Sequence, residues 1–203
     1  MCNHVIGLRS TGEEELAEDF DHVKLFTQLG QLVRESRIVQ HVGANQGLVI
    51  LQLDDPSVAE NWDQINPAPT PEEYRRFTMP RVEAMNHAIR GLPKDRIRFH
   101  LCWGSWHGPH ANDIPLADIV DVMLKIKAQV YLFEAANARH EHEWEDWRDA
   151  RIPADKVLIP GAIDTRTNLV DHPRRVAQIL RRYVDIVGIE RVMAGTDCGF
   201  GTV

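Results

Sequence analysis

Five short apolar runs, each separated from the next by a longer stretch, limit this chain to a parallel α/β architecture. The runs lie at 48–53, 96–101, 130–133, 157–160 and 191–194. The first, Leu48-Val49-Ile50-Leu51-Gln52-Leu53, is nearly continuous, as expected of a strand covered on both faces. Thr70-Pro71-Glu72-Glu73 reads as a helix start with Thr at N-cap, Pro at N1 and Glu at N3. That helix is expected to reach about Arg90, with a kink at Pro80 and a stop at Gly91. A second helix is predicted over 115–127, where Leu116, Ile119, Val120, Met123 and Leu124 fall on one face. A charged helix is predicted over 140–150. Asp171-His172-Pro173 opens a last one, carrying Val176, Ile179, Leu180, Tyr183 and Val184. Strand and helix in alternation imply parallel strands with right-handed crossovers. An open doubly wound sheet and a (β/α) barrel both satisfy that order. No GxGxxG follows a strand, which counts against a nucleotide-binding doubly wound domain.

The first 45 residues differ. Thr11-Gly12-Glu13-Glu14 reads as a capping box opening a helix over 13–37, with Leu16, Phe20, Val23 and Leu32 as its packing residues. The best strand candidate there is the weak run 37–42. The expected division is therefore an N-terminal helical segment, 1–45, and an α/β unit, 46–203. At 203 residues the chain is one domain or a piece of a larger one. Its 43% hydrophobic content supports a packed core and excludes a disordered chain. No apolar run approaches membrane-spanning length. The net charge of −7 and the lack of a basic stripe argue against nucleic acid as a partner. Three scattered cysteines, Cys2, Cys102 and Cys198, make no disulfide framework. The first ten residues lack the pattern of a secretory leader. These features predict a soluble protein of a reducing compartment, the cytoplasm.

The polar residues that stand out follow the strands. Asp54 and Asp55 come after the first run, His100 and Cys102 close the second, Glu134 the third, and Asp197 and Cys198 the fifth. In parallel α/β proteins the carboxyl ends of strands gather the reactive groups. His100 and Cys102 are two residues apart and share a face on an extended backbone. His, Cys, Glu and Cys together make a tetrahedral donor set, and two thiolates with an imidazole favour zinc over magnesium or calcium. The alternative keeps each cysteine as a small buried hydrophobe and pairs Glu134 with an arginine such as Arg139. The loop 103–110 carries Trp103, Trp106, His107 and His110 beside the same end of the sheet. It is either substrate-facing or structural. His140 and His142 point apart if helical, which speaks against a second metal site.

At His100-x-Cys102, Glu134 and Asp197-Cys198-Gly199 the chain resembles the catalytic barrel of cobalamin-independent methionine synthases. The wider resemblance includes epoxyalkane:coenzyme M transferases. The matching stretches are LQLDDP (51–56), RFHLCWG (98–104), YLFEAANARHEHEW (131–144), VLIPGAID (157–164) and AGTDCGFGT (194–202). The resemblance implies a (β/α)₈ barrel of the TIM type, incomplete here, with about the last five βα units present. It implies zinc held by His100, Cys102, Glu134 and Cys198. It also implies that Asp54 serves catalysis by binding the amino group of a homocysteine-like thiol. The implied activity is zinc-dependent transfer of a methyl or alkyl group to that thiol, from a donor such as methyltetrahydrofolate. Epoxyalkane:coenzyme M-type alkylation and a non-catalytic zinc-binding fragment are the alternatives.

Three departures from the family pattern stand out. Where its methionine synthases carry Asp-x-His after the seventh strand, this chain reads Asp164-Thr165-Arg166. The spacing between Cys102 and Glu134 is longer, through the Trp-rich loop, and Trp103 and Trp106 are expected to shield the substrate there. The early barrel strands are not in this sequence. An open half-barrel leaves strand edges bare, so a partner chain or a second copy is expected to complete it.

Overall fold

The computed structural model describes residues 50–104 and 109–199. The predicted N-terminal helix 13–37 and strand 37–42, together with Cys2, Trp106 and His107, lie outside the described residues. Four strands form one parallel sheet: β1 Leu51–Asp54, β2 Ile97–Leu101, β3 Val130–Phe133 and β4 Val157–Pro160. Their order in the sheet is their order in the chain. The register sets Asp54 beside His100 and Phe133 beside Pro160. A doubly wound sheet reverses direction from a central strand; this one does not. The helices α1 Pro71–Ala88, α2 Leu116–Met123, α3 Trp144–Asp149 and α4 Pro173–Val187 each pack on the next in sequence. That is the wall of a barrel segment.

Side-chain parity follows from this one-sided layer. Phe99, Tyr131 and Phe133 are buried under the helices, where Phe133 meets Trp147 and Tyr183. Alternate residues, Gln52, Asp54, Arg98 and His100, therefore point to the opposite, concave face. Arg98 Nε and Gln52 Oε1 are buried there without partners among the described residues.

The helix boundaries have local causes. Thr70 Oγ1 accepts from Glu73 N, and Glu73 Oε2 accepts from Thr70 N at 2.8 Å, so the capping box is complete at both ends. Pro80 sits inside α1 without ending it. Gly91, at φ +82°, turns the chain after it. α2 is shorter than its apolar spacing suggests. The carbonyls beyond it are claimed from outside: Asn86 Nδ2 donates to Lys125 O and Tyr131 Oη to Ile126 O. The charged helix expected over 140–150 is a 3₁₀ turn at Glu141–Glu143 leading into α3. The Glu143 carboxylate is used elsewhere, accepting from Leu116 N at the start of α2.

The fifth run forms isolated parallel bridges, Leu158 with Val192 and Gly161 with Gly195, rather than a strand. Pro160 explains the interruption. Its carbonyl accepts from Gly195 N at 3.1 Å, but it has no N–H to return the bond. Among the described residues no helix is long and apolar enough to cross a membrane.

Candidate metal centre

The carboxyl end of the sheet brings three of the four expected ligands together. The ligand atoms of His100, Cys102 and Cys198 all lie within 4.8 Å of one another. The two sulfurs are 3.4 Å apart and unbonded, and Cys198 Sγ is 3.9 Å from His100 Nε2. Around a tetrahedral zinc, with Zn–S near 2.3 Å and Zn–N near 2.0 Å, such edges measure about 3.5–3.8 Å. Soft thiolates and an imidazole at this spacing fit zinc.

Glu134 stands beside this group rather than in it. Its Oε1 is 3.9 Å from Cys198 Sγ. The carboxylate accepts from Trp103 N (3.2 Å), Asn137 Nδ2 (2.7 Å), Arg139 (2.9 Å) and Arg166 (3.4 Å). The pairing with Arg139 weighed from the sequence is thus present, and Oε1 also faces a sulfur.

His100 is oriented from behind. Its Nδ1–H donates to Asp54 Oδ2 at 3.0 Å, which turns Nε2 toward the sulfurs. Nε2 lies 3.2 Å from the Asp197 carbonyl. Burial pushes the imidazolium down, but hydrogen bonds to Asp54 and Cys198 outweigh it and hold His100 up at about 10. Burial likewise raises Asp54, and its bond to His100 more than offsets this, leaving the carboxyl below its usual range. Cys198, hydrogen-bonded by Cys102, is lowered to about 6. His100 and Cys198 are thus shifted toward an imidazolium–thiolate pair, and a metal held at Nε2 would displace that proton.

One expectation from the sequence needs revision, and two strand-end acids have partners of their own. Trp103 is no substrate shield. It lies one residue past Cys102, on the helix side of the sheet, 1% exposed. Its ring stacks on His140 at 4.0 Å and its Nε1–H donates to Ile114 O. Asp197, though at a strand end, does not point into the mouth. Its fully buried carboxylate accepts from the backbone of Ala135, Ala136 and Asn137 and from Asn137 Nδ2, fixing the loop that carries Glu134. Asp54 is engaged with His100, so any contact with a substrate amine would use its remaining lone pairs. Asn137, which bridges Glu134 and Asp197, went unnoticed in the sequence, because an amide in a loop carries no spacing signal.

Behind Trp103 a buried acid–histidine cluster supports the loop. His140 Nδ1 pairs with Glu143 Oε2 at 2.9 Å, and Nε2 faces Asp113 Oδ2 at 3.5 Å. Asp113 also binds His110 and Arg139, which reaches Glu134. Burial pushes His140 down, but Asp113 and Glu143, with the Glu134 charge, raise it to about 9. A group raised in the folded state stabilises fully below its unfolded pKa, near 6.5, and loses that contribution as pH climbs through 9. The His140 contribution to the unfolding free energy is expected to fall by on the order of 3 kcal/mol between pH 6 and 9.5. His140→Gln is expected to flatten that slope in denaturant titrations; an unchanged slope would exclude His140 as its source.

No protein-family profile matches this chain. A methionine synthase of Thermococcus kodakarensis is 26% identical over 93% of this chain and 44% of its own length. The chain is thus similar to a methionine synthase over most of its length. A 2-hydroxypropyl-CoM lyase of Xanthobacter autotrophicus is 24% identical over 58% of this chain and 38% of its own length. The chain thus spans less than half the length of these curated relatives. Among solved structures, a B12-independent methionine synthase from Shewanella sp. W3-18-1, in complex with selenomethionine, superposes with a TM-score of 0.57. It is 20% identical, over 88% of this chain and 47% of that one. The likeness shows the fold, and the described sheet is an α/β barrel segment of this kind.

Proposed function

We propose that this chain carries the thiol-activating half of a zinc-dependent S-methyl or S-alkyl transferase of the methionine synthase type. The observation that supports this most is the convergence of His100, Cys102 and Cys198 at strand ends, with Asp54 fixing the imidazole. When bound there, zinc supplies Lewis-acid stabilisation of a thiolate at neutral pH, where a free thiol with a pKa near 8.5 is mostly protonated. His100, Cys102 and Cys198 would hold it, with Glu134 Oε1 beside them.

The residues around this set divide the remaining work. Asp54 keeps the imidazole in the Nδ1–H tautomer, leaving Nε2 as donor atom. Asn137, Arg139 and the Trp103 backbone hold Glu134 in place without burying an unpaired charge. Asp54 also offers a carboxylate oxygen to the amine of a homocysteine-like acceptor. The alkyl donor, a methyltetrahydrofolate-like compound in this reading, would enter from the concave side. A partner chain or second copy would cover that side. Two thiols 3.4 Å apart also suit a reducing, cytoplasmic setting.

Titrating the cobalt(II)-loaded protein with homocysteine tests the proposal. An open site is expected to shift and intensify the cobalt–thiolate absorption as a third sulfur enters. An unchanged spectrum would mean a closed, structural centre.

A further inference from the structure

The end of the sheet away from the metal centre holds a cavity of about 530 Å³. It lies between the end of α1 and the amino ends of β2 and β4, whereas the metal ligands gather at the carboxyl ends. Arg90, Lys94, Lys127 and Lys156 line it, against a single carboxylate, Asp155. Lys94 Nζ pairs with Asp155 Oδ2 at 2.7 Å. Four cations against one carboxylate leave three positive charges in excess, in a chain whose net charge is −7.

The basic wall is braced from behind. Asn86 Nδ2 donates to Lys125 O at 3.0 Å and Asn86 Oδ1 accepts from Lys127 N at 2.7 Å, which fixes the segment bearing Lys127. Gln129 N donates to Lys94 O and to Ile97 O, both at 3.2 Å. Lys156 is 7% exposed. Its Nζ donates to Ala128 O and lies 5.2 Å over the Tyr131 ring. An ammonium has three donors, and among the described residues no carboxylate pairs with this one. Burial holds the Lys156 ammonium below its usual range, Asp155 offsets part of this and the Lys94 charge adds to it. A cation kept from water without an anionic partner is costly, and oxygens entering the cavity would relieve that cost. On the opposite side stand Ile89 and Leu92, and Gly91 leaves open space where a side chain would be.

We propose that this cavity is a second site, for a small phosphate-bearing anion of the diphosphate class, with its oxygens on Lys127 and Lys156 and its organic part against Ile89 and Leu92. Lysine ammonium groups act as point charges on phosphate oxygens, whereas planar carboxylates are best met by a guanidinium fork. The guanidinium of Arg90 is turned toward His87 Nε2, at 3.4 Å. The carbonyls that end α1 repel an anion, so the charged head belongs on the lysine side and the organic part on the α1 side. This assignment is independent of the thiol reading of the metal centre.

Calorimetric titration of the zinc-loaded chain with pyrophosphate, inorganic phosphate and acetate, at one fixed ionic strength, tests it. Pyrophosphate is expected to bind about tenfold or more tighter than phosphate, and acetate to give no heat, because the excess charge rewards each added negative charge. Lys127→Gln is expected to weaken pyrophosphate about tenfold while leaving zinc content unchanged; Lys127→Arg should stay within about threefold of the wild type. Lys127 is exposed, so neither variant disturbs the core. Any pyrophosphate held by the metal would remain in Lys127→Gln, so the difference between the two proteins reports the cavity alone. Lys156→Met should weaken binding further, and if it fails to fold the Lys127 pair still decides. No pyrophosphate heat in the wild type, an affinity untouched by Lys127→Gln, or acetate bound as tightly as pyrophosphate would each overturn the assignment.

Discussion

Gly161→Ala is expected to destabilise the protein by roughly 3–5 kcal/mol, one of the largest losses a single methyl group can cause here. A Cβ on Gly161 would fall 2.0 Å from Asp197 Oδ1 and 2.7 Å from the Asp197 backbone. The backbone cannot yield, because Gly161 is held by N–H donation to Phe133 O, and Asp197 N donates to Ile163 O. The carboxylate cannot yield either, since it satisfies four buried donors of the loop after β3. Displacing it leaves those donors unmet and releases Glu134 and Asn137. Gly91→Ala is the control. Its φ of +82° carries strain, but nothing lies within 4 Å of the added carbon, so a loss of only about 1–2 kcal/mol is expected. Denaturant unfolding of both variants checks the contrast. Equal losses would show that crowding against Asp197 does not govern this corner.

Cys198→Ser or Cys102→Ser is expected to abolish stoichiometric zinc. Each variant removes one of the two sulfur donors and leaves His100 Nε2 beside the Asp197 carbonyl. A serine hydroxyl is a harder donor and stays protonated at neutral pH, so the remaining pair holds the ion poorly. Asp54→Asn should have a graded effect, a loss of about 10–100-fold in affinity, because it weakens the hydrogen bond that aims the imidazole without removing a ligand. Elemental analysis after gel filtration, with competition against a chromophoric chelator, reads all three. Full occupancy in either serine variant would refute the assignment of that sulfur. An unaltered affinity in Asp54→Asn would limit that carboxylate to contacts with substrate.

Much of this architecture is written in short-range chemistry. The Thr70-Pro71-Glu73 start of α1 and the turn at Gly91 depend on neighbours within four residues, so they can be read without a fold. The cluster of His100, Cys102 and Cys198 is legible because strand ends converge in any parallel sheet and because His100 and Cys102 share a face. That same parity places Trp103 on the far side, beneath the helices. Other features depend on groups far apart in sequence. α2 ends where Asn86 and Tyr131 claim its trailing carbonyls. Glu143, expected in a charged helix, is drawn inward to meet Leu116 N. Asp197 and Asn137 acquire their roles only once the loop after β3 folds over them. Arg166 stands out in the sequence only as a departure from the family's histidine; its reach to Glu134 is visible only in three dimensions.

Pro160 has a consequence beyond its own strand. The segment that bears Cys198 is tethered to the sheet by a row of bonds with one rung missing, while His100 and Cys102 extend from a fully paired strand. One sulfur is thus rooted in the paired sheet, the other in the loop network that holds Asp197. An ion gripping both would act as a clasp between two frameworks that are otherwise joined by few backbone bonds.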